Sequence, residues 1–118
     1  MPYLPEAGDL VWVNFDPQAG REQAKNRPAL VITSSPFNAA TGLLVVCPVT
    51  RTDRPWRTRV SLTGTTTSGF VIIEQVKSID WRARGAAFIE HIPKPLFDDV
   101  KSRIATWSIC DSDRLCHR

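Results

Sequence analysis

Short apolar runs alternate with turn residues over the first ninety positions, and this pattern predicts β-strands. We predict strands over residues 10–15, 28–34, 43–50, 58–62, 70–76 and 78–81, and a last apolar run, 85–89, ends the sheet region. The third strand is apolar throughout, which indicates that both of its faces are covered. Pro48 near its end indicates an edge or a bulge, because proline cannot donate to a strand ladder.

Beyond residue 90 the period of the apolar positions changes from about two to about 3.6, which predicts an amphipathic helix. Its stripe consists of Leu96, Val100, Ile104 and Trp107, with Phe97 beside it. We expect this helix to end near Ile109, and a shorter helical turn to form over residues 36–41. The fold class is therefore mainly β (α+β): a small barrel or strongly bent sheet of about six to seven strands with a C-terminal helix.

The chain has 118 residues, 42% of them hydrophobic, and this size suits one domain. We place the domain at residues 1–110 and a polar tail at 111–118. No signal peptide and no apolar run of about 20 residues is present, so we expect no membrane segment. The three cysteines are too few for a disulfide framework, which favours the cytoplasm.

Cys47 lies in an apolar run and is expected to be a buried thiol. Cys110, Cys116 and His117 could be metal ligands, but they lack a second ligand pair, so we predict no metal site. The only other histidine, His91, is expected at the surface rather than as a catalytic base.

The segment between the first two predicted strands carries four side chains that could act on a phosphate or a proton. They are Arg21, Glu22, Lys25 and Arg27. Charged loops held between buried strands often bind or catalyse. The alternative is a solvated hairpin loop, which composition alone favours.

A second basic segment follows the third predicted strand, where Arg51, Arg54, Arg57 and Arg59 surround Trp56. The net charge is only +3, but clustered arginine beside tryptophan suits single-stranded nucleic acid, since phosphates pair with guanidinium and bases stack on indole. The alternative is that the tryptophans are core and the arginines form its rim. We assign Trp12, within a strand, to the core, and favour a functional role for Trp56.

The remaining motifs exclude several chemistries. No GxxxxGK[ST] or GxGxxG motif is present, and two histidines and scattered acids do not suit a serine triad or a dinuclear metal site. RNA carries its own nucleophile, the 2′-hydroxyl, so a protein need only position the backbone, accept a proton and stabilise charge. Glu22, Arg27 and Thr50 could supply these functions.

Long ordered motifs relate the chain to a known family. They are GDLVWVNFDP at residues 8–17, Gly20, Glu22-Gln23-Ala24, Arg27-Pro28-Ala29, Pro48-Val49-Thr50 and EQVKSIDWRARG at residues 74–85. This set resembles the MazF/PemK toxins over about residues 4–109. The resemblance implies an SH3-like bent β-barrel that dimerises, and a metal-independent, sequence-specific endoribonuclease without cofactors that cleaves single-stranded mRNA. It also implies a MazE-like antitoxin whose acidic, extended segment fills the RNA groove at the dimer interface, with DNA contacted only through the antitoxin.

Carried over to this chain, the resemblance makes Arg27 the group that stabilises the phosphorane, Glu22 the base and Thr50 a donor to the phosphate. Asn26 stands where some relatives carry a histidine, which leaves the proton donor to the 5′-oxygen unassigned. The expected RNA contacts are Arg21, Gln23, Lys25, Asn26, Arg51, Arg54, Trp56, Arg57, Gln75 and Lys77. The alternative function is a CcdB-like toxin that binds gyrase without cleaving RNA, although such toxins lack the Glu22, Arg27 and Thr50 set.

Overall fold

A computed structural model describes residues 3–15, 26–54 and 58–113, with side chains described through residue 106. The strands are β1 (Asp9–Asn14), β2 (Asn26–Val31), β3 (Leu43–Thr50), β4 (Arg59–Ser61), β5 (Phe70–Ile72), β6 (Lys77–Asp80) and β7 (Ala87–His91). The helices are α1 (Ser35–Thr41), α2 (Trp81–Arg84) and α3 (Lys94–Asp113), with a 3₁₀ turn at Ile73–Gln75. No helix in these described ranges is both long enough and apolar enough to cross a membrane.

The strands pair antiparallel in the order β4-β5-β3-β2-β1-β7, and β6 also pairs with β3. Within the described residues this path is open, with β4 at one end and β7 at the other. The predicted fold class is confirmed: the described residues form a mainly β domain of seven strands followed by a C-terminal helix.

Strand β3 is the centre of the sheet and has the predicted bounds, Leu43–Thr50. Its buried residues 46–49 confirm that both faces are covered. Pro48 does not mark an edge, because it lies opposite Ala29 of β2. On the other side, the partner of β3 changes from β6, last paired at Val46, to β5, first paired at Val49. A residue without an N–H is tolerated in that gap.

In the part of the chain that the structure describes, two apolar clusters form the core. One contains Leu10, Leu30 and Cys47 from the sheet together with Leu96 and Val100 from α3. Ile104 and Phe97 pack against the same cluster, which confirms the predicted stripe as far as residue 104. The side chain of Trp107 lies outside the described residues. The second cluster, on the other face, is made of Val11, Val13, Ala29, Val31, Leu44, Val46 and Ile79.

Several predicted boundaries are wrong. The helix α3 continues past Ile109 to Asp113, so it crosses the boundary that we placed between domain and tail. Strand β2 ends at Val31 because the chain then turns at Thr33, whose hydroxyl donates to Asn38 of α1. The apolar run at 70–76 is strand only to Ile72, and the buried Ile73 begins the 3₁₀ turn. Apolar periodicity alone does not distinguish such a turn from a strand.

The short helix α2 is absent from our sequence interpretation. Asp80 caps it, accepting from the backbone N–H groups of Arg82 and Ala83 at 3.2 Å each. An aspartate at that position is a helix N-terminal signal, but four residues are too few for periodicity to reveal. Arg82 is held against α1, donating to the carbonyl oxygen of Ala39 at 3.0 Å.

Candidate active site

Arg27 lies in β2 opposite Val13, at the end of the strand pair that leads into the charged segment. Its Nη2 donates to the carbonyl oxygen of Val49 at 3.4 Å. This bond directs the guanidinium towards the end of β3. The side chain is half-buried, so part of its donor set is available to a ligand.

Thr50 is the last residue of β3 and is partly exposed. Ala29 pairs with Pro48, so extending this register by two positions sets Thr50 opposite Arg27 on the same face of the sheet. The Oγ1 of Thr50 accepts from the backbone N–H of Thr52 at 3.1 Å. Its own hydrogen is therefore available to donate to a phosphate oxygen.

Further cationic groups lie at the end of β1. The Lys77 ammonium sits 4.9 Å from the centre of the Phe15 ring. Arg84 donates to the carbonyl oxygen of Phe15 at 3.0 Å and holds the chain where the charged segment begins. Of the predicted RNA contacts, Asn26, Arg51, Arg54, Gln75 and Lys77 are all exposed. Glu22, Arg21, Gln23, Lys25, Trp56 and Arg57 lie outside the described residues.

Arg59 differs from the other arginines of the basic segment, with which we grouped it from the sequence. Its side chain is 8% exposed and forms an ion pair with Glu74 at 3.7 Å. It also donates to the carbonyl oxygen of Thr52 at 3.3 Å. Arg59 therefore anchors the basic segment to the sheet, and grouping it with the exposed arginines was wrong. Its place in β4, beside the turn that carries Glu74, depends on pairing that is distant in sequence.

The assignment of Trp12 to the core was also wrong, since the side chain is 44% exposed. Trp12 shares a face of β1 with the buried Leu10, but the core cluster on that face does not extend to Trp12. Instead Trp12 lines a cavity of about 440 Å³ beside Thr50. Alternation along a strand shows which face a residue points to, but not where the covering layer ends.

Cys47 is a buried thiol, as predicted. Burial, with the neighbouring Glu74 charge, raises the pKa of Cys47 to about 12. The thiolate is the nucleophilic form, so burial favours the unreactive thiol here.

His91 is at the surface, also as predicted, with its side chain 55% exposed and its Nδ1 2.8 Å from Asp9 Oδ1. Asp9 is four strand residues from Val13, the partner of Arg27, a distance of about 13 Å. His91 therefore does not reach the Arg27 site. In the described part of the chain, no three His, Cys, Asp or Glu side chains are grouped to hold a metal ion.

A guanidinium and a hydroxyl donor side by side, flanked by exposed cationic and amide side chains, form a site suited to a nucleic-acid backbone. The chain matches the family described as PemK-like, MazF-like toxin of type II toxin–antitoxin system over residues 6–108. The chain therefore belongs to this family, and the resemblance seen in the sequence is confirmed.

Individual relatives agree with the family match. The chain is 45% identical over 84 residues to the endoribonuclease toxin MazF of Escherichia coli K12, covering 71% of this chain and 76% of the relative. It is 40% identical over 106 residues to the endoribonuclease PemK of Escherichia coli, covering 86% and 80%.

Solved structures share the fold. A crystal structure of MazF from Deinococcus radiodurans matches with a TM-score of 0.80 and 38% identity, over 90% of this chain and 97% of that one. A MazE–MazF crystal structure from the same organism matches with a TM-score of 0.81 and 37% identity, over 89% and 96%. These matches give no support to the alternative of a CcdB-like gyrase-binding toxin.

Proposed function

We propose that this toxin is a metal-independent, sequence-specific endoribonuclease that cleaves single-stranded mRNA through attack by the RNA 2′-hydroxyl. The observation that carries the proposal is the hydrogen bond from Arg27, at the start of β2, to Val49 near the end of β3, together with a strand register that, continued from the Ala29–Pro48 pair, sets Arg27 opposite Thr50. Relatives at 40–45% identity are named endoribonucleases, which supports the same activity here. Under this proposal the toxin acts in the cytoplasm, where its mRNA substrate is.

The reaction needs two bond changes at one phosphorus. The 2′-oxygen forms a bond to the phosphorus, and the bond to the 5′-oxygen of the next nucleotide breaks. The products are a 2′,3′-cyclic phosphate and a 5′-hydroxyl. Charge accumulates on the phosphate oxygens in the transition state, and donors preorganised there lower the barrier.

Each proposed catalytic side chain has one part in this scheme. The Arg27 guanidinium stays charged at every physiological pH, so it stabilises the phosphorane rather than transferring a proton. The Thr50 hydroxyl, which accepts from the Thr52 N–H, donates its hydrogen to a phosphate oxygen, because such an oxygen can only accept. Glu22, from the charged segment that leads into β2, accepts the proton of the 2′-hydroxyl.

The proposed RNA contacts surround this pair. Arg51 and Arg54 are exposed immediately after β3, and Gln75 and Lys77 are exposed around the start of β6. Arginine binds phosphate with a planar, bidentate fork, so these residues are suited to following the RNA backbone.

Cleavage of a long single-stranded RNA in EDTA, with the cut ends mapped, tests the proposal. We expect discrete cuts at a short motif, ending in 2′,3′-cyclic phosphate, at the same rate with and without EDTA. A matched RNA with one 2′-deoxynucleotide, at the residue whose 3′-phosphate is cut, should stay intact at that site. Cutting of the deoxy substrate, or a requirement for added Mg²⁺, would refute the mechanism, and uncut RNA of varied sequence would refute the nuclease.

We further propose that the toxin is a homodimer, that the RNA groove crosses its interface, and that the acidic segment of an antitoxin occupies that groove. The MazE–MazF structures of Deinococcus radiodurans support a partner of this kind. Under this proposal, DNA is contacted only through the antitoxin.

Sedimentation equilibrium at micromolar concentration tests the oligomeric state. The mass of one chain is 13.2 kDa, and we expect the measured mass to be twice that value. A monomer at that concentration would contradict the shared groove.

A further inference from the structure

A second cavity is formed by the segment before β1 together with residues of β1 and β7. It has a volume of about 570 Å³ and is lined by Tyr3, Leu4, Glu6, Asp9, Phe88 and His91. We propose that this cavity, the Tyr3–Phe88 pocket, binds an arginine side chain presented by a partner protein. The inference does not depend on the proposed nuclease function, because none of these residues has a part in the cleavage scheme.

The pocket is separate from the cationic site at Arg27 and differs from it in charge. Asp9 lies at the start of β1, about 13 Å from Val13, the strand partner of Arg27. Among the described residues, no lysine or arginine lines the pocket, whereas the carboxylates of Glu6 and Asp9 do. A phosphate backbone or an acidic peptide would be repelled there. Because the chain as a whole carries a net charge of +3, the pocket is a local reversal of charge that favours a cationic ligand.

An aromatic pair provides the surface on which such a cation can stack. The ring centroids of Tyr3 and Phe88 lie 5.6 Å apart, with an angle of 56° between the ring planes. Phe88 is 51% exposed and Leu4 is 41% exposed, so the pocket presents apolar surface to solvent. A guanidinium stacks on aromatic faces and forms two parallel hydrogen bonds to a carboxylate, whereas an ammonium lacks the planar fork. An aromatic ring beside a carboxylate therefore selects arginine over lysine.

The two carboxylates of the pocket have different parts. Asp9 is 4% exposed, and one of its oxygens accepts from the Tyr3 hydroxyl and from the Glu6 N–H, the latter at 3.1 Å. Its other oxygen lies 2.8 Å from His91 Nδ1. Burial, together with the hydrogen bond to Asp9, raises the pKa of Tyr3, so the hydroxyl remains a donor. The Glu6 carboxylate, in contrast, is exposed and accepts from none of the described residues, which leaves it for an incoming guanidinium.

Hydrogen bonds and one close approach hold the pocket in shape without a ligand. The carbonyl oxygen of Pro5 accepts from Asn38 Nδ2 at 2.9 Å, and this buried bond fixes the segment before β1. Gly8 has a φ of 94°, and a Cβ there would lie 2.9 Å from His91 Cε1, so glycine allows the imidazole to pack against the backbone. The Ile92 N–H donates to the Gly8 carbonyl oxygen at 3.0 Å and joins this segment to the end of β7. A preformed site of this kind has little ordering cost on binding.

The experiment titrates the full chain with a capped pentapeptide that has one arginine at the centre of four glycines, and follows the backbone amide shifts by NMR. A matched peptide carries citrulline, which has the shape of arginine without its charge. We expect the shifts to fall on residues 3–9 and 87–91, and citrulline to weaken binding by roughly 3- to 30-fold. A lysine peptide should also bind more weakly than the arginine peptide, because it lacks the planar fork.

Two variants test the parts of the pocket separately. In Glu6→Gln the preference for arginine over citrulline should be lost. In Phe88→Leu, which keeps an apolar side chain without the ring, arginine binding should weaken by roughly 2- to 5-fold. The matched controls are Asp98→Asn, at an exposed acid of α3, and Phe37→Ala, at an aromatic residue with 40% exposure, since neither residue lines the pocket. Both controls should bind the arginine peptide as wild type does.

Several outcomes would overturn the inference. They are an arginine peptide that does not bind, arginine and citrulline peptides that bind equally, shifts confined to residues outside the pocket, and an arginine preference that persists in Glu6→Gln. A change from dimer to monomer in sedimentation of Phe88→Leu would overturn it too, because a second copy of the chain would then cover this face. RNA cleavage is a separate readout, which Glu6→Gln and Phe88→Leu should leave unchanged. Uncut RNA would refute the nuclease and leave the peptide result standing.

Discussion

Replacing Arg27 with alanine should lower the single-turnover rate of RNA cleavage by about a thousandfold. Removing one preorganised donor from an oxyanion site costs about 10²–10³ in rate, and here the donor also carries the positive charge. The single long hydrogen bond from Arg27 to Val49, at 3.4 Å, implies that the loss of stability will be small. The rate should be measured with enzyme in excess, and RNA affinity separately by fluorescence anisotropy.

Three further variants refine this result. Arg27→Lys keeps the charge but loses the planar fork, so its rate should lie between those of wild type and alanine. Thr50→Ser keeps the hydroxyl and should stay near wild type, whereas Thr50→Val has a similar shape without the donor and should be impaired. Cleavage by Arg27→Ala within a few-fold of wild type would remove Arg27 from the chemistry.

Replacing Arg59 with alanine should destabilise the fold by about 2–3 kcal/mol without acting on RNA directly. Breaking a buried ion pair costs about 3–5 kcal/mol because it leaves the other charge unpaired. The value should be lower here because the Glu74 side chain is 23% exposed. Urea unfolding should show this loss, and the double variant Arg59→Met with Glu74→Leu should recover much of the stability.

Arg51→Ala is the control for Arg59→Ala, since Arg51 is an exposed arginine of the same segment. Its stability should stay within about 0.5 kcal/mol of wild type. RNA binding should weaken, and the slope of log affinity against log salt should fall by about one for the lost phosphate contact. If Arg59→Ala were as stable as wild type and bound RNA as weakly as Arg51→Ala, Arg59 would be an RNA contact after all. An unchanged salt slope in Arg51→Ala would remove this segment from the binding site.

Most of the fold could be predicted from local pattern. Strand β3 is found where its apolar run predicts it, and the stripe of Leu96, Val100 and Ile104 packs on the sheet. Apart from the ends of β2 and α3, the errors fall at short elements, the 3₁₀ turn at Ile73–Gln75 and the helix α2. Three or four residues contain less than one full period of either pattern, so caps and packing decide them.

The sequence by itself indicated which residues are candidates for the chemistry, because a guanidinium, a carboxylate and a hydroxyl are recognisable as residue types within ordered motifs. It also determined which strand residues share a face, since side chains alternate along a strand. The structure decided which of these residues meet. The β2–β3 register, continued from the Ala29–Pro48 pair, sets Arg27 opposite Thr50, β4 buries Arg59 against Glu74, and the core on the face of Trp12 ends before that residue. Each of these outcomes depends on contacts between segments distant in sequence, which local periodicity does not contain.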